Sequence, residues 1–222
     1  MISAKEQAKK GQIIYRYILL KIQSFKWPAG TRIFSERQLE IRFASSRSLI
    51  RTILNTLLGK DLIRHTKGNA GYFVAKNAGF SFFHKTQDNK LPKWAKLSTL
   101  MKNHLREVDR DVFSSIDSGV DFGNFKGLEA KLFDENKKNF LNLSFFGKDD
   151  VLQIFSEQNL QEQFFKDFAY NGIVVERKSS LICVDDETKN LLIYDLFYDD
   201  NNKFIVAMRS EYLNPRIKII NA

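Results

Sequence analysis

Two arginines and a serine lie close together in the segment SSRSLIR, at positions 47, 48 and 51. Arginine has a planar fork of N–H donors that pairs with the O6 and N7 atoms of guanine, and a serine hydroxyl can reach a base edge or a phosphate. Arg51 follows Arg47 by one helical turn, so both side chains would leave a helix on the same face. The pattern predicts a base contact from Arg47, a base or phosphate contact from Ser48, and a contact from Arg51 to the DNA backbone.

Two short capped helices would hold these side chains. Ser35 followed by Gln38 forms a capping box, and the helix of about two turns that it starts has its apolar stripe at Leu39 and Phe43. Ser46 caps the next helix, whose inner face consists of Ile50, Ile53, Leu54, Leu57 and Leu58. Two helices joined by a tight turn predict a helix-turn-helix whose second helix can enter the major groove of DNA.

A longer helix and a hairpin complete the predicted N-terminal domain. A helix over residues 9–25, ended by WPAG, is predicted from an apolar stripe at helical spacing, formed by Ile14, Ile18, Ile22 and Phe25. Residues 62–66 and 72–76 are two β-runs around a glycine-containing turn and predict a hairpin. This hairpin would be a wing, with Lys67 at its tip able to approach the minor groove.

Positive charge is concentrated in the N-terminal third of the chain. The net charge is +9, and residues 1–76 contain 15 Lys and Arg against 4 Asp and Glu, whereas residues 77–222 contain 20 against 22. The first part therefore carries +11 and the second −2. Charge confined to one part of a chain is typical of a domain that binds a phosphate backbone.

The composition indicates a folded, soluble protein. Of the 222 residues 43% are apolar, including 20 Phe, which can fill packed cores in one large or two modest domains. No apolar segment reaches about 18 residues, and MISAKEQAKKGQ lacks a signal-peptide core, so we expect a cytoplasmic protein. The single cysteine, Cys183, excludes an intrachain disulfide, and we expect it to pack as a small hydrophobe.

A second domain follows a polar stretch. KNAGFSFFHKTQDNKLP, residues 76–92, contains Gly79 and Pro92 and predicts a linker over residues 77–90. Strand patterns then occur between residues 173 and 220, in GIVVERKSSLICV, NLLIYDLFYDD and KFIVAMRSEYLN. Because an all-helical domain would lack these patterns, we expect an α+β domain over residues 91–222.

The N-terminal motifs together resemble the GntR family of bacterial transcription regulators. They are PAGTRIFSERQL at 28–39, SSRSLIR at 45–51, LIRHTKG at 62–68 and GYFV at 71–74, in the order and at the distances of that family. The resemblance covers residues 9–76 and implies a winged helix-turn-helix domain over residues 1–76. It also implies DNA contacts from residues of the two short helices and the wing, namely Arg37, Arg47, Ser48, Arg51, Lys67 and Gly68.

The sequence departs from the family pattern at a few positions. Phe25 and Asp61 stand where glycine is usual, Ser45 replaces a small apolar residue, and the wing turn GNAG is one residue longer than the common one. An alternative for Arg37 is an ion pair with Glu36 or Glu40. Glu36 is interpreted as a partner of the helix dipole in the first helical turn.

The C-terminal half resembles the UTRA effector-binding domain of the HutC subfamily, a chorismate-lyase-like fold with an antiparallel sheet. The matching pieces are AKLFDENKKNFLNLSFF at 130–146, a helix around 150–173, and the hairpin YDDNNKFIVAMRSEYLN. Members that bind sugar phosphates commonly have Arg on the strand where residues 129–131 lie here, and an acidic residue at the position of Val206. The resemblance implies an effector pocket, with anion-binding candidates Lys131 and Arg209 and polar wall residues Ser144 and Tyr212. For Lys131 and Arg209, an ordinary exposed position on a strand is the alternative.

No pattern in the sequence supports an enzyme. The three histidines, His65, His84 and His104, are not spaced as H-x-x-x-H, and the sequence contains no P-loop and no dinucleotide-binding fingerprint. We therefore expect no catalytic residue, no metal and no cofactor.

The sequence thus predicts a homodimeric transcription regulator, a repressor that a small-molecule effector such as a sugar phosphate releases from double-stranded operator DNA. One recognition helix reads too few bases for specificity in a genome, so two-fold symmetry is expected. One alternative is a ligand-indifferent dimeric DNA-binding protein whose C-terminal domain only dimerises, and another is a chorismate-lyase-like enzyme tethered to DNA. Loss of operator binding when a ligand is added would favour the effector-released repressor over the ligand-indifferent protein. Turnover of a ligand would support the enzyme tethered to DNA.

Overall fold

A computed structural model describes residues 4–66, 71–76, 94–100, 105–123, 125–156 and 164–213. The chain divides into two units, Met1–Ser81 with Gly172–Val174 and Phe82–Asn171 with Val175–Ala222. The wing residues Lys67 and Gly68 and the linker over residues 77–90 lie outside the described residues, so these assignments stay predictions.

Three helices form most of the first unit: α1 (Ala4–Gln23), α2 (Glu36–Phe43) and α3 (Arg47–Gly59). The long first helix is confirmed, although it begins earlier than residue 9 and ends before residue 25. Placing Phe25 on its apolar stripe was wrong. Phe25 follows the helix with a left-handed backbone, at φ 57°, and its side chain is 44% exposed.

Capping residues fix the ends of α2 and α3 as predicted. The Ser35 hydroxyl accepts a hydrogen bond from the Gln38 amide at 3.3 Å, and the Gln38 side chain accepts one from the Ser35 amide at 2.9 Å. Ser46 caps α3 by accepting a bond from the Leu49 amide at 3.4 Å. Between the helices, Ala44 has a left-handed backbone at φ 44°, which closes α2 and lets the chain turn sharply into α3.

The predicted wing is an antiparallel pair of strands, β1 (Ile63–His65) and β2 (Tyr72–Val74). Arg32 adds an isolated bridge to Phe73, so the chain before α2 extends the pairing. The helices and the wing share one core, whose buried members are Ile14, Ile18, Ile22, Ile33, Leu39, Ile50, Ile53, Leu54, Leu57, Ile63 and Val74. Because this core uses the inner face of α3, the opposite face of that helix is left to solvent.

An antiparallel sheet dominates the second unit and confirms the α+β class. Its six strands are β3 (Trp94–Leu100), β4 (Lys126–Phe133), β5 (Asn139–Gly147), β6 (Arg177–Val184), β7 (Leu191–Tyr198) and β8 (Phe204–Tyr212). They lie in the order β3-β4-β5-β8-β7-β6. The strand patterns read between residues 173 and 220 correspond to β6, β7 and β8, whereas β3 was not predicted.

The described helices of this unit are α4 (Glu107–Ile116), α5 (Asp149–Leu152) and α6 (Phe164–Tyr170). A continuous helix over residues 150–173 was wrong, because the chain leaves the helical conformation after Leu152. Phe155 then packs its ring on Phe145 of β5, with 4.2 Å between the ring centroids. Phe155 is therefore buried against the sheet from a non-helical segment.

The sheet has two distinct faces. On the first, called the α4 face, Phe113 of α4 packs against Phe146, Tyr194 and Ala207 of the sheet. On the opposite face, Phe145 and Phe155 form an aromatic cluster with Phe168 of α6. Neighbours in strand register share a face and residues one apart alternate, so every strand residue can be assigned to one face.

Candidate nucleic-acid interface and effector site

The outer face of α3 presents the side chains that the sequence singled out. Arg47 is 63% exposed and Arg51 is 54% exposed, and Ser48 beside them is also exposed. The Ser48 hydroxyl lies 3.2 Å from the hydroxyl of Ser46. The capped N-terminal end of α3 therefore has two long cations and two hydroxyls on its surface.

A single carboxylate on α2 joins the two arginines. Oε2 of Glu36 accepts a hydrogen bond from Nε of Arg47 at 2.9 Å and another from Nε of Arg51 at 3.0 Å. Its other oxygen, Oε1, accepts a bond from the Tyr72 hydroxyl on the wing at 3.4 Å. Glu36 of α2 thus contacts both α3 and the wing.

The charges of this cluster reinforce one another. The hydrogen bond from Arg47 lowers the pKa of Glu36 below its ordinary value, against the opposing effect of burial, and Arg51 lowers it further. The same contact raises the pKa of Arg47, and burial raises the pKa of Tyr72. The carboxylate therefore stays ionised near neutral pH, and one negative charge is shared by two positive ones.

Arg37 has a different environment from the two arginines of α3. Its exposed side chain lines an open surface pocket beside Arg32 and Ile41. The alternative of an ion pair from Arg37 to Glu36 or Glu40 is not observed among the described residues, because Glu36 pairs with Arg47 and Arg51 instead. Arg37 is accordingly a third exposed cation near the start of α2.

The wing strand β1 adds basic character beside this face. Arg64 and His65 are exposed on β1, and His65 packs edge to face on Tyr72, with 5.2 Å between the ring centroids.

The sequence did not predict that Glu36 bridges the two arginines, because an acidic residue in a first helical turn is already explained by the helix dipole. The 11- and 15-residue separations from its partners become contacts only through the helix-turn-helix geometry.

The structure brings three of the four effector candidates to the α4 face. Ser144 and Arg209 are direct neighbours in the register of β5 and β8. Ser144 also pairs with Glu129 of β4, and Lys131 lies two residues further along that strand. Tyr212 does not join them. It is three residues from Arg209 on the same strand and is buried on the opposite face.

Arg209 is an internal partner of carboxylates. Its Nε lies 3.4 Å from Asp109 on α4, and one of its terminal nitrogens lies 3.5 Å from Glu211. Asp109, which is 2% exposed, also accepts bonds from the Tyr194 hydroxyl at 2.8 Å and from Arg106 at 2.8 and 2.9 Å. The positive charge of Arg209 is therefore already balanced by the protein.

Sequence reasoning missed Asp109 because α4 was not predicted. A signal for this helix existed, since residues 107–116 have acidic residues in the first turn and apolar residues at helical spacing.

Lys96 is a second residue that the sequence did not single out. It lies directly opposite Lys131 in the register of β3 and β4, with both side chains exposed. Neither of these neighbouring lysines has an ion pair with any described residue.

Other kinds of site find no match in the part of the chain that the structure describes. There, His, Cys, Asp and Glu side chains form no group of three that could hold a metal ion. The described helices also include none with the length and apolarity needed to cross a membrane.

Comparison with known proteins finds a relative that matches nearly the whole chain. No family model matches the sequence. A protein of Mycoplasma genitalium, described as the uncharacterized HTH-type transcriptional regulator MG101, is 63% identical over 218 residues, and the match covers 98% of each chain.

Two solved structures are also similar to the chain. The possible transcriptional regulator YydK from Bacillus subtilis has a TM-score of 0.49 at 14% identity, covering 95% of this chain and 98% of that one. PhnF from Mycobacterium smegmatis has a TM-score of 0.42 at 16% identity, covering 94% and 99%. It is the sequence identity to the Mycoplasma relative that decides the family, and the protein belongs to the HTH-type transcriptional regulators.

Proposed function

We propose that the protein is a GntR-type transcription regulator that binds operator DNA as a homodimer through α3 of its winged helix-turn-helix. The observation that carries the proposal is the exposed pair Arg47 and Arg51 on the outer face of α3. This pair belongs to the part of the chain, residues 1–76, that carries a charge of +11. A basic helix with a solvent-facing side is suited to the major groove, where arginine can read guanine.

Each exposed group has a distinct proposed role. Arg47, in the first turn of α3, reads a base, and Ser48 contacts a neighbouring base or phosphate. Arg51 and Arg37 neutralise backbone phosphates. Lys67 and Gly68 of the wing contact the DNA beside the groove that α3 occupies. Two copies of this arrangement in a homodimer would read two half-sites about one helical turn, or a multiple of it, apart.

Selection from a randomised duplex DNA library with the full chain tests this function. We expect enrichment of an inverted repeat whose half-sites are spaced by about 10 base pairs or a multiple of it. A variant with Arg47→Ala and Arg51→Ala should enrich no motif, because it lacks the proposed base reader and a phosphate contact. A wild-type chain that enriches nothing would contradict the proposal.

We also propose that the second unit is a UTRA-like effector-binding and dimerisation domain of the HutC type. The exposed pair Lys96 and Lys131 supports a small anionic metabolite, such as a sugar phosphate, as the effector. Ser144 and Arg209 lie further across the same face and would contribute hydrogen-bond donors. Effector binding would change the spacing or mobility of the two DNA-binding domains and release a repressor from its operator.

A thermal-shift screen with a panel of sugar phosphates tests the effector proposal. A ligand that raises the melting temperature should lose its effect in Lys131→Ala and keep it in Lys138→Ala, which removes an exposed charge from the β4–β5 turn. The same ligand should weaken binding to the enriched DNA. A ligand that stabilises both variants equally would contradict the role of Lys131.

A second candidate function is a ligand-indifferent DNA-binding protein whose second unit only dimerises. The observation that favours it is the balance of the Arg209 charge by Asp109 and Glu211, which occupies an anion-binding candidate with internal partners. Under this alternative, no metabolite of the panel changes the melting temperature or the affinity for DNA.

A further inference from the structure

We infer that Glu36 is a specificity-determining residue, which positions Arg47 for base reading and Arg51 for its phosphate contact, although its own charge repels DNA. The inference rests on the proposed DNA-binding function and assigns a role to a residue outside the set of expected DNA contacts. The ionised carboxylate of Glu36 on α2 accepts hydrogen bonds from two exposed arginines of α3.

The geometry of the bridge determines which donors remain for DNA. Both arginines reach Glu36 through Nε, at 2.9 and 3.0 Å, and both bonds end on the same oxygen. Neither arginine donates from a terminal nitrogen to any residue within the described ranges. Each guanidinium therefore keeps its outer N–H groups, the pair that can form a fork with guanine or with a phosphate.

Glu36 would fix the guanidinium planes before DNA binds, and this favours discrimination between bases. A free arginine side chain loses rotamer freedom when it docks, and this loss is smaller if the protein has already fixed the group. A fixed plane also fits one arrangement of base acceptors better than others, whereas a mobile cation can follow any phosphate. Glu36 is thus expected to lower the affinity for random DNA and to raise the preference for the operator.

Stability does not explain the bridge. Arg47 and Arg51 are more than half exposed, and ion pairs at such positions contribute little to folding because water and salt screen them. The capping role of this helix end belongs to Ser35 and Gln38. Replacing the Glu36 carboxylate should accordingly leave the fold and its melting temperature nearly unchanged.

Three full-chain variants separate charge from position. Glu36→Gln removes the charge and the strong acceptor. Glu36→Asp keeps the charge but shortens the side chain by one methylene, so its carboxylate falls short of the arginines. Glu40→Gln is the matched control, because it removes the same charge from the same helix, while the Glu40 carboxylate lies 3.9 Å from Nε of Arg47 and bridges nothing.

The measurement is the ratio of dissociation constants for random duplex DNA and for the duplex that the wild-type chain enriches from a randomised library. We expect this ratio to fall about tenfold in Glu36→Gln and in Glu36→Asp, because Arg47, the proposed base reader, loses its positioning. In Glu40→Gln it should stay within about twofold of the wild-type value. Binding to random DNA should strengthen in both glutamine variants, since each loses one negative charge, and it should strengthen less in Glu36→Asp, which frees the arginines but keeps the charge.

Two outcomes would overturn the inference. If Glu36→Gln keeps the wild-type ratio, the bridge does not position the arginines for reading. If Glu36→Gln and Glu40→Gln change the ratio equally, the effect is one of charge alone. A wild-type chain that enriches no motif would be a different result, since it would overturn the proposed function and this inference with it.

Discussion

At the scale of single residues, the sequence motif and the structure agree on which side chains face outward and differ on how they are held. Arg47, Ser48 and Arg51 are exposed as their positions in α3 require. The spacing of four residues between the arginines places them on one face, and this explains how a single oxygen of Glu36 can accept from both. Equal contacts to Glu36 do not imply equal contacts to DNA.

The two arginines should differ in what their loss changes. Arg47→Ala should remove a base contact, which costs about 1–3 kcal/mol per half-site and flattens the preference at one base pair. Arg51→Ala should weaken binding to the enriched duplex and to random DNA by similar factors, because it removes a phosphate contact. Fluorescence anisotropy with single-base variants of the enriched duplex measures both effects. Full discrimination at every position in a folded Arg47→Ala protein would show that Arg47 is not the base reader.

Residue-scale prediction from sequence succeeded for local patterns, whereas it grouped Tyr212 with residues that lie on the other face of the sheet. The capping residues and the outward face of α3 depend on spacings of three and four, which a helix fixes on its own. Arg209 and Tyr212 are three apart on one strand, and an odd separation places side chains on opposite faces of a sheet. The parity of the strand could therefore have separated Tyr212 from Arg209. The contact of Arg209 with Asp109, 100 residues earlier, could not be predicted without the docked position of α4.

At the scale of elements, three left-handed residues end or connect the helices of the first unit. Phe25 has φ 57°, Ala44 has φ 44° and Asp61 has φ 52°. Phe25 and Asp61 are the positions where the resemblance leads one to expect glycine, and the backbone keeps the conformation that glycine would favour. The fold therefore tolerates local strain of about 1–2 kcal/mol at such residues.

Ala44→Gly should stabilise the protein, since glycine adopts the left-handed conformation without the clash of a Cβ atom. After the greater freedom of glycine in the unfolded chain is subtracted, we expect a gain of about 0.5–1 kcal/mol in the free energy of unfolding. Urea denaturation followed by circular dichroism measures it.

The matched control for this change is Ala29→Gly, at another exposed alanine whose backbone is outside the left-handed region. That substitution should destabilise the protein by about 0.5–1 kcal/mol because it only adds freedom to the unfolded chain. The same sign for both substitutions would show that strain at Ala44 is not the cause.

A hydrogen bond between Tyr198 of β7 and Asp117, which follows α4, gives stability a dependence on alkaline pH. Its oxygen atoms are 2.5 Å apart. Burial, and then this bond, raise the pKa of Tyr198 to about 12, from an ordinary value of about 10. The folded state thus holds the phenol proton more tightly than the unfolded state. The resulting stabilisation is complete below about pH 10 and is lost as pH rises towards about 12.

Tyr198→Phe should therefore lower the free energy of unfolding by about 1 kcal/mol near neutral pH, through the lost hydrogen bond. It should also make the decline of stability between about pH 10 and pH 12 shallower than in the wild type. Chemical denaturation at a series of pH values gives both quantities. Identical pH profiles for the two proteins would contradict the role of Tyr198.

The sequence predicted elements with a clear period and missed those with a mixed one. The helices of the first unit and the strands β6, β7 and β8 have strong apolar repeats and are present where the patterns lie. Helix α4 contains charged residues and an exposed Val108 among its apolar positions, and this weakens its stripe. The helix predicted over 150–173 is present at Asp149–Leu152 and at Phe164–Tyr170 but not at Phe155, whose ring packs on Phe145 of the sheet, a contact that only tertiary packing reveals.

At the scale of the whole molecule, the net charge is unevenly divided between the two parts of the chain. Residues 1–76 carry +11 and residues 77–222 carry −2, so the attraction to a phosphate backbone should come almost entirely from the first part.

In solution, the proposed homodimer should have twice the chain mass of 25.8 kDa. Light scattering with and without DNA tests this, and a strict monomer in both conditions would remove the two-fold model of DNA reading.

The central claim, that the first unit binds DNA through its exposed arginines, is tested most directly by the salt dependence of binding to the enriched duplex. Two double variants each remove two exposed positive charges: Arg37→Ala with Arg51→Ala in the first unit, and Lys138→Ala with Lys148→Ala in the second. We expect the first pair to lower the slope of log K against log salt by about 1.8 per subunit, because it removes two phosphate contacts. The second pair should leave the slope at its wild-type value. Equal slopes in the two double variants, or wild-type binding that does not respond to salt, would contradict it.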